Sequence, residues 1–172
     1  MIRLATGSDI SRIVEIYDAT ILGEEMGLTS IGWRRGIYPT EKAALDALSR
    51  GDLFVFEDHG VIAATAVINQ NQADEYAECM WRYPASDCEV MVLHTLAVDP
   101  KMKGRGIGSA FIRFYEEYAK GNGCKYLRMD TNEENSPARR LYRELGFEER
   151  GSVYLRFDGI PNVYLMCYEK KL

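Results

Sequence analysis

The sequence predicts a mixed α/β (α+β) fold, with a mostly antiparallel sheet of about 6–7 strands, one parallel pair within it, and about four flanking helices. Two observations favour this class. A strand–helix–strand unit surrounds a glycine-rich turn, which implies parallel pairing of its two strands through a right-handed crossover. Two hairpin signals, Asp58-His59-Gly60 and Asp158-Gly159, predict antiparallel pairs before and after that unit.

The chain begins with a predicted strand, Met1 to Ala5, followed by a helix. Thr6 and Asp9 have the spacing of a capping box, the arrangement that starts many helices. Apolar residues recur on one face of that helix at Ile10, Ile13, Tyr17 and Ile21. From Leu22 to Pro39 glycines interrupt the pattern, which predicts a loop or a broken helix.

A second helix and a hairpin come next. Thr40 is suited to cap the helix and Gly51 to end it. Its inward positions are predicted at Ala44, Leu45 and Leu48. The hairpin strands are predicted at Leu53 to Glu57 and Val61 to Asn69. The stretch from Asn71 to Glu89 has no clear period and is predicted to be irregular or a short helix.

A buried strand is predicted from Met91 to Val98, where nearly every residue is apolar on both alternating faces. Asp99-Pro100 should end it, because proline cannot donate to a sheet ladder. The glycines that follow, at every second position, allow backbone conformations closed to other residues and a close approach of a ligand to the main chain. They are Gly104, Gly106 and Gly108.

A helix is predicted to begin at these glycines, because apolar residues then recur at helical spacing. Those residues are Ile107, Ala110, Phe111, Phe114, Tyr115 and Tyr118. Unpaired N–H groups and the positive end of the helix dipole favour a phosphate or pyrophosphate at such a turn, where Lys103 and Arg105 add positive charge. The dinucleotide and nucleoside-triphosphate motifs do not fit, because Ser109-Ala110 stand where they need other residues.

The last third of the chain predicts a strand, a helix and a closing hairpin. The strand is predicted from Cys124 to Asp130. Ser136 is suited to cap the helix, with Pro137 in its first position and Gly146 at its end. Ala138, Leu141, Tyr142 and Leu145 share one face of that helix. The closing hairpin is predicted from Gly151 to Phe157 and from Val163 to Tyr168.

Composition narrows the class of protein. With 172 residues, 47% hydrophobic and 27% charged, residues 1–172 should form one domain with a proper core. The net charge of −5 argues against nucleic acid as the main partner. Four scattered cysteines indicate neither a metal site nor a disulfide framework. No stretch has the length of a membrane span, so we expect a cytoplasmic protein with no membrane partner.

The wider motif pattern resembles a known family. LAVDPKMKGRGIGS followed by NSPARRLYRELGF is similar to the two cofactor-binding motifs of the GNAT superfamily of N-acetyltransferases. The first signature reads Gln or Arg, two residues, Gly, one residue, then Gly or Ala; Lys103, Gly106 and Gly108 occupy it, with Lys103 departing from the usual Gln or Arg. Asn135, Ala138, Tyr142 and Gly146-Phe147 match the second motif at the family's spacing.

This resemblance implies acetyl-coenzyme A as cosubstrate and a GNAT-like sheet. It implies that the backbone of Leu96, Ala97 and Val98 pairs with the pantetheine arm, and that the glycine turn holds the pyrophosphate. The turn residues so implied are Lys103, Gly104, Arg105, Gly106, Ile107, Gly108 and Ser109. Asn135 and Ala138 would also bind the cofactor, and Tyr142 would donate a proton or a hydrogen bond to the departing thiolate.

The group that removes a proton from the acceptor amine is predicted to be His94. It lies two residues before Leu96 on the predicted strand, so both side chains should point to one face, and its ordinary pKa of about 6.5 suits proton transfer. Glu24, Glu25 and a water chain are rivals. A structural role for His94 is the other interpretation.

The acceptor pocket is predicted to include Trp33 and Tyr38, whose rings with nearby carboxylates would suit a cationic amine. The function expected is transfer of an acetyl group to a primary amine by direct attack in a ternary complex. The alternative is a non-catalytic coenzyme A-binding regulatory or interaction module. The acceptor would be a small-molecule or peptide amine. Which amine this is, which acyl group is preferred, and whether the chain forms a homodimer are left open.

Overall fold

The computed structural model describes all residues, 1–172, and contains seven strands and four α-helices. In chain order they are β1 Ile2–Leu4, α1 Ile10–Glu25, α2 Glu41–Arg50, β2 Leu53–Asp58, β3 Val61–Asn69, β4 Val90–Val98, α3 Ile107–Gly121, β5 Tyr126–Asn132, α4 Ser136–Glu144, β6 Glu148–Tyr154 and β7 Tyr164–Lys171. Short 3-10 turns cover Gly7–Asp9, Asp74–Glu78, Asp87–Glu89 and Pro100–Met102. None of the helices has the length and apolar character needed to cross a membrane.

The strands form one sheet in the order β1-β2-β3-β4-β5-β7-β6. The sheet is mostly antiparallel, and β4 and β5 are its parallel pair, joined through α3. This confirms the predicted fold class, including the two hairpins, β2–β3 and β6–β7. The strand–helix–strand pattern predicted the parallel pair because the intervening helix returns the chain to the end of the sheet at which β4 begins, so β5 runs in the same direction.

The helix ends confirm most of the predicted caps. Thr6 and Asp9 form the capping box, the Thr40 hydroxyl accepts the Ala43 N–H at 3.2 Å, and Gly51 ends α2 at φ 74°. The predicted cap of α4 is wrong by one residue. The side chain of Asn135, and not that of Ser136, accepts the N–H of Ala138, at 3.4 Å.

Three further boundaries or faces differ from the prediction. Helix α1 continues to Glu25, so the predicted loop starts four residues too early. Leu45 is 45% exposed, and Ala47 is the buried residue of α2 beside Ala44. Strand β5 starts at Tyr126 and ends at Asn132, two residues later at each end than predicted.

The chain divides into two compact units. The first comprises Met1–Leu28, Trp33–Ile68 and His94–Phe114. Its core includes apolar residues of α1, α2, β2 and β3, such as Ile13, Ile16, Ala47 and Val55, all fully buried, and the ring of Trp33 packs against this core. Residues 94–98 of β4 and the glycine turn belong to this unit.

The second unit comprises Thr29–Gly32, Asn69–Leu93 and Tyr115–Leu172. One of its core clusters contains Tyr76, Val90, Val92, Val153 and Cys167. Inside it the Arg128 guanidinium lies 4.2 Å from the ring centre of Trp81 and forms a buried ion pair with Glu169 at 3.1 Å. Strands β4 (through Leu93), β5, β6 and β7 and helix α4 lie here.

Candidate active site

The glycine turn begins where β4 ends at Val98. Asp99 is 4% exposed, accepts the Lys101 N–H at 2.8 Å and pairs with the Arg12 guanidinium. Burial opposes ionisation of Asp99, but these hydrogen bonds prevail and lower its pKa. The ionised side chain therefore fixes the start of the turn. Strand β4 ends at Val98, directly before Asp99-Pro100, as predicted.

The backbone of the turn adopts conformations that glycine permits. Gly104 has φ 79° and Gly106 has φ 74°, in the left-handed region. A Cβ atom added at either position would meet no heavy atom within 4 Å, so the space in front of the turn is open. Residues 103–106 are all exposed. The turn can therefore be approached closely by a ligand.

Helix α3 follows directly after the turn, beginning at Ile107. The Ala110 N–H donates to the Gly106 carbonyl at 2.9 Å. The amides of Ile107, Gly108 and Ser109 precede that first helical bond and have no acceptor within the helix. With the dipole of a 15-residue helix and the side chains of Lys103 and Arg105, the turn is suited to bind a phosphate group.

Strand β4 is irregular in its second half. Thr95 has φ 53°, a left-handed conformation in the middle of a strand. Such a residue interrupts the alternation of side chains. The argument that His94 and Leu96 share a face therefore does not hold here. His94 itself is half-buried, and the Tyr38 hydroxyl shares a short hydrogen bond with the Thr95 hydroxyl.

Burial and pairing also change along β4. Val90 to Leu93 are buried and form the parallel ladder with Tyr126 to Met129 of β5. The ladder ends there, and His94, Thr95, Leu96 and Val98 are half-buried, whereas Ala97 is buried. The prediction of a strand buried throughout is therefore correct only for its first half.

Tyr142 lies on α4 and is 6% exposed. Its ring contacts those of Tyr168 and Phe147, with centroids 5.3 Å and 6.4 Å away. Its hydroxyl makes no hydrogen bond in the structure. Every fully buried side-chain oxygen of the protein has a hydrogen-bond partner, so the Tyr142 hydroxyl is not fully buried and must reach the solvent surface. Burial, together with the charges of Asp130 and Tyr168, raises the pKa of the phenol well above its ordinary value. Tyr142 thus presents a protonated, unpartnered donor.

The other second-motif residues have structural contacts. The Asn135 side chain accepts the Ala138 N–H and donates to the Thr131 hydroxyl at 3.0 Å. Ala138 is half-buried in the first turn of α4. Their predicted contact with a cofactor stays a prediction, and the cap explains why an amide is useful at this position even without a ligand.

The predicted acceptor residues and bases lie in the first unit. Trp33 packs edge-on against Tyr17 and Tyr38, at centroid distances of 6.1 Å and 6.2 Å. Glu25, one of the rival bases, is held by Arg35 at 2.9 Å, and that hydrogen bond lowers its pKa. A carboxylate held in this way is poorly suited to take up a proton near neutral pH.

Sequence reasoning missed a carboxylate in the second unit. Asp130 accepts a hydrogen bond from the Tyr76 hydroxyl at 2.7 Å, and the charge of Glu75 acts on it. Desolvation by burial is the main cause that raises the pKa of Asp130 to about 6. The available signal was an acid at the end of a strand predicted to pair in parallel, next to the family tyrosine motif.

Comparison with known proteins supplies the family. The model of the acetyltransferase (GNAT) family matches residues 21–147. The chain belongs to this family. An uncharacterized N-acetyltransferase of Methanocaldococcus jannaschii is 40% identical over 76 residues, which are 44% of this chain and 34% of that protein. The N-alpha-acetyltransferase RimI of Mycobacterium tuberculosis is 41% identical over 80 residues, 45% of this chain and 47% of that protein.

A solved GNAT-family acetyltransferase of Streptococcus agalactiae shares the fold. Its TM-score is 0.82 at 22% identity, with 100% of this GNAT chain and 95% of that chain covered. The aligned parts of the chain span between a third and half of the two curated relatives.

Proposed function

We propose that the chain is an acetyl-CoA-dependent N-acetyltransferase that transfers the acetyl group to a primary amine by direct attack. The observation that carries the proposal is the exposed turn at the N-terminus of α3, with Gly104 and Gly106 in left-handed conformations and open space before them. Membership of the GNAT family supports the same conclusion. We also propose that residues 1–172 act as a single domain.

The turn suits the pyrophosphate of coenzyme A. The amides from Gly104 to Ser109 would donate to phosphate oxygens, and the side chains of Lys103 and Arg105 would add charge at the exposed rim. The backbone of Leu96, Ala97 and Val98 would pair with the pantetheine arm as an added strand would. Asn135 and Ala138 are the further cofactor-binding residues that the family resemblance implies.

Acetyl-CoA supplies the activated acetyl group. The chain must polarise the thioester carbonyl, remove a proton from the amine, and donate a proton or a hydrogen bond to the departing thiolate. Tyr142 is proposed to donate to the thiolate as it departs. Because its pKa lies well above that of an ordinary thiol at about 8.5, complete proton transfer from Tyr142 is uphill, and stabilisation by a hydrogen bond is favoured. The hydroxyl has no other partner to give up before it does this.

The acceptor is proposed to be a cationic amine, either a small molecule or a peptide. Trp33 and Tyr38 are proposed to line its pocket, where aromatic faces attract ammonium groups. RimI of Mycobacterium tuberculosis is named for N-alpha acetylation, which keeps a peptide terminus among the candidates. His94 stays the proposed base for the ammonium proton, and Glu24, Glu25 and a water chain stay its rivals.

A coenzyme A-binding module without turnover is not favoured. Both curated relatives described above carry the name N-acetyltransferase. The open, unpartnered hydroxyl of Tyr142 also has an explanation in catalysis and none in the packing of α4.

The test combines binding and turnover. Isothermal titration with coenzyme A measures occupation of the turn, and a thiol-reactive dye measures free coenzyme A released from acetyl-CoA in the presence of an amine. The amine panel should contain amino acids, polyamines, aminoglycosides and short peptides. Amine-dependent thiol release supports the proposal. Binding without release across the panel would favour the module, and no binding would refute both.

A further inference from the structure

Thr95 has a backbone conformation that its own side chain disfavours. Its φ of 53° lies in the left-handed region, which glycine adopts freely and which a branched Cβ atom makes costly. The other non-glycine residues with a positive φ, His59 and Asn162, lie outside the strands, whereas Thr95 lies within β4. A residue stays in such a conformation only where the surrounding structure holds it there.

A side-chain hydrogen bond connects Thr95 to Tyr38, which is 57 positions away in the sequence. The hydroxyl groups of the two residues share this short bond, and both residues are half-buried. A threonine hydroxyl is attached directly to Cβ, so a partner that holds the hydroxyl also restricts the backbone next to that Cβ atom. The bond to Tyr38 therefore opposes relaxation of Thr95 into a regular extended strand.

The ring of Tyr38 is itself held by aromatic packing. It packs edge-on against Trp33, with ring centroids 6.2 Å apart, and Trp33 packs in the same way against Tyr17 of α1. Tyr17 is 2% exposed, and its hydroxyl is hydrogen-bonded to Thr65 of β3. Because edge-on pairs favour particular ring orientations, this row of rings limits the movement of the Tyr38 hydroxyl. Thr95 is thus bonded to a group that is fixed by the core of the first unit.

The position of Thr95 on β4 relates it to the proposed cofactor site. The turn proposed for the pyrophosphate follows Val98, and the pantetheine arm is proposed to pair with the backbone from Val98 back to Leu96. An arm that runs in this direction brings the acetyl group to Thr95, which directly precedes Leu96. The peptide groups on either side of Thr95 would therefore lie beside the thioester, and the left-handed φ sets their directions.

We propose that Tyr38 is a positioning residue for acetyl transfer: its hydroxyl holds Thr95 in the left-handed conformation and thereby fixes the backbone groups beside the thioester carbonyl. This assignment rests on the proposed function and deepens it. A backbone N–H held in a fixed direction stabilises the charge that develops on a carbonyl oxygen in the transition state. Tyr38 acts through Thr95, and its ring remains available to the proposed acceptor pocket because only the hydroxyl takes part in the bond.

The first variant is Tyr38→Phe, which removes the hydroxyl and keeps the ring against Trp33. We expect kcat for the best amine of the panel to fall by at least about 10-fold, because the backbone groups beside the thioester lose their fixed direction. The KM for the amine and the Kd for coenzyme A should stay within about threefold of the parent values, since an interaction made only in the transition state affects kcat. Thiol release and titration calorimetry measure these quantities.

Variants of Thr95 test whether Tyr38 acts through it. Thr95→Val keeps the size and branching of the side chain but lacks the hydroxyl, so kcat should fall as in Tyr38→Phe. Thr95→Ser keeps the hydroxyl and should keep kcat within about threefold of the parent value. The double variant Tyr38→Phe/Thr95→Val should be no slower than the slower single variant, because both changes remove the same bond.

Tyr17→Phe is the matched control. It removes a hydroxyl from the ring on the other side of Trp33, and the partner of that hydroxyl is Thr65 of β3 and not a residue of β4. This variant should lower Tm, because a buried hydrogen bond is lost, and should leave kcat unchanged. A purely structural role of Tyr38 would give the same result as Tyr17→Phe.

The outcomes separate this assignment from the proposed function. A fall in kcat that Tyr38→Phe, Thr95→Val and the double variant share, and that Thr95→Ser and Tyr17→Phe do not show, supports it. If Tyr38→Phe raises the KM for the amine and its loss adds to that of Thr95→Val, the hydroxyl contacts the acceptor and the assignment is wrong. If Tyr38→Phe keeps the parent kcat, the assignment is wrong and acetyl transfer still stands. If the parent protein acetylates no amine in the panel, both fail together.

Discussion

Replacing Tyr142 by Phe should separate catalysis from stability. The hydroxyl of Tyr142 makes no hydrogen bond in the folded chain and reaches solvent, while its ring is packed against Tyr168 and Phe147. Phenylalanine keeps the ring and removes only the oxygen. No protein group loses a partner, so the variant tests the hydroxyl itself.

The magnitudes follow from these contacts. A single donor aimed at developing charge contributes about 2.7–4 kcal/mol, so kcat should fall by about 100- to 1,000-fold. The free energy of unfolding should change by less than about 0.5 kcal/mol, since no bond within the protein is lost. Coenzyme A affinity should be unchanged, because the hydroxyl is proposed to act on the departing sulfur.

Tyr168→Phe is the matched control on the adjacent ring. Its hydroxyl donates to Glu149 at 2.9 Å, so its removal should cost about 1 kcal/mol and lower Tm by roughly 2–4 °C. Its kcat should equal that of the parent. Steady-state thiol release and thermal unfolding on both variants give the comparison.

A parent-like kcat for Tyr142→Phe would refute the role of this hydroxyl. A loss of Tm in Tyr142→Phe as large as that in Tyr168→Phe would contradict the finding that the Tyr142 hydroxyl has no hydrogen-bond partner in the folded chain. Equal kcat losses in both variants would show that packing of the two rings, and not donation by Tyr142, controls the rate.

Three further predictions concern the turn, the buried ion pair and the first capping box. Gly106→Ala strains a residue at φ 74° and should weaken coenzyme A binding at least about 10-fold, as measured by titration calorimetry. Gly60→Ala, at φ 79° in the β2–β3 hairpin, is the control: it should lose similar stability and keep the affinity for coenzyme A. Glu169→Gln removes the carboxylate that neutralises the Arg128 guanidinium, whose side chain is only 4% exposed, and should lower the free energy of unfolding in urea by about 3–5 kcal/mol. Glu117→Gln breaks the exposed Glu117–Lys120 pair and should lower it by less than about 0.5 kcal/mol. The hydrogen bond from Arg3 lowers the pKa of Asp9 to about 2, so Asp9 stabilises the fold above pH 4 and that contribution is lost as pH falls through 2. Asp9→Asn should therefore be about 2 kcal/mol less stable than the parent at pH 7 and should approach the stability of the parent below pH 2. An undiminished difference below pH 2 would contradict this.

Local backbone features could be predicted from the sequence because each depends on a few consecutive residues. The capping box of Thr6 and Asp9, the end of α2 at Gly51 and the glycine turn before α3 all belong to this group. Their chemistry is local: a side chain accepts a nearby N–H, or a residue without Cβ adopts a positive φ. The parallel pair also followed from the order of elements along the chain.

Side-chain surroundings could not be predicted, because they depend on residues far apart in sequence. Tyr76 and Asp130 are 54 positions apart, and only folding joins their oxygens at 2.7 Å. The left-handed Thr95 lies in a run of apolar residues that reads as a regular strand, so the alternation assumed for His94 failed without a local sign.

By itself the sequence determined the class of fold, the glycine turn and the identity of the tyrosine that the family motif singles out. Tertiary structure decided that the Tyr142 hydroxyl is unpartnered, and that Asp130 accepts a hydrogen bond from Tyr76 and has a pKa raised by burial. The reason is that backbone geometry is set largely by neighbouring residues, whereas hydrogen-bond partners, desolvation and the resulting pKa are set by whatever the fold packs around a side chain.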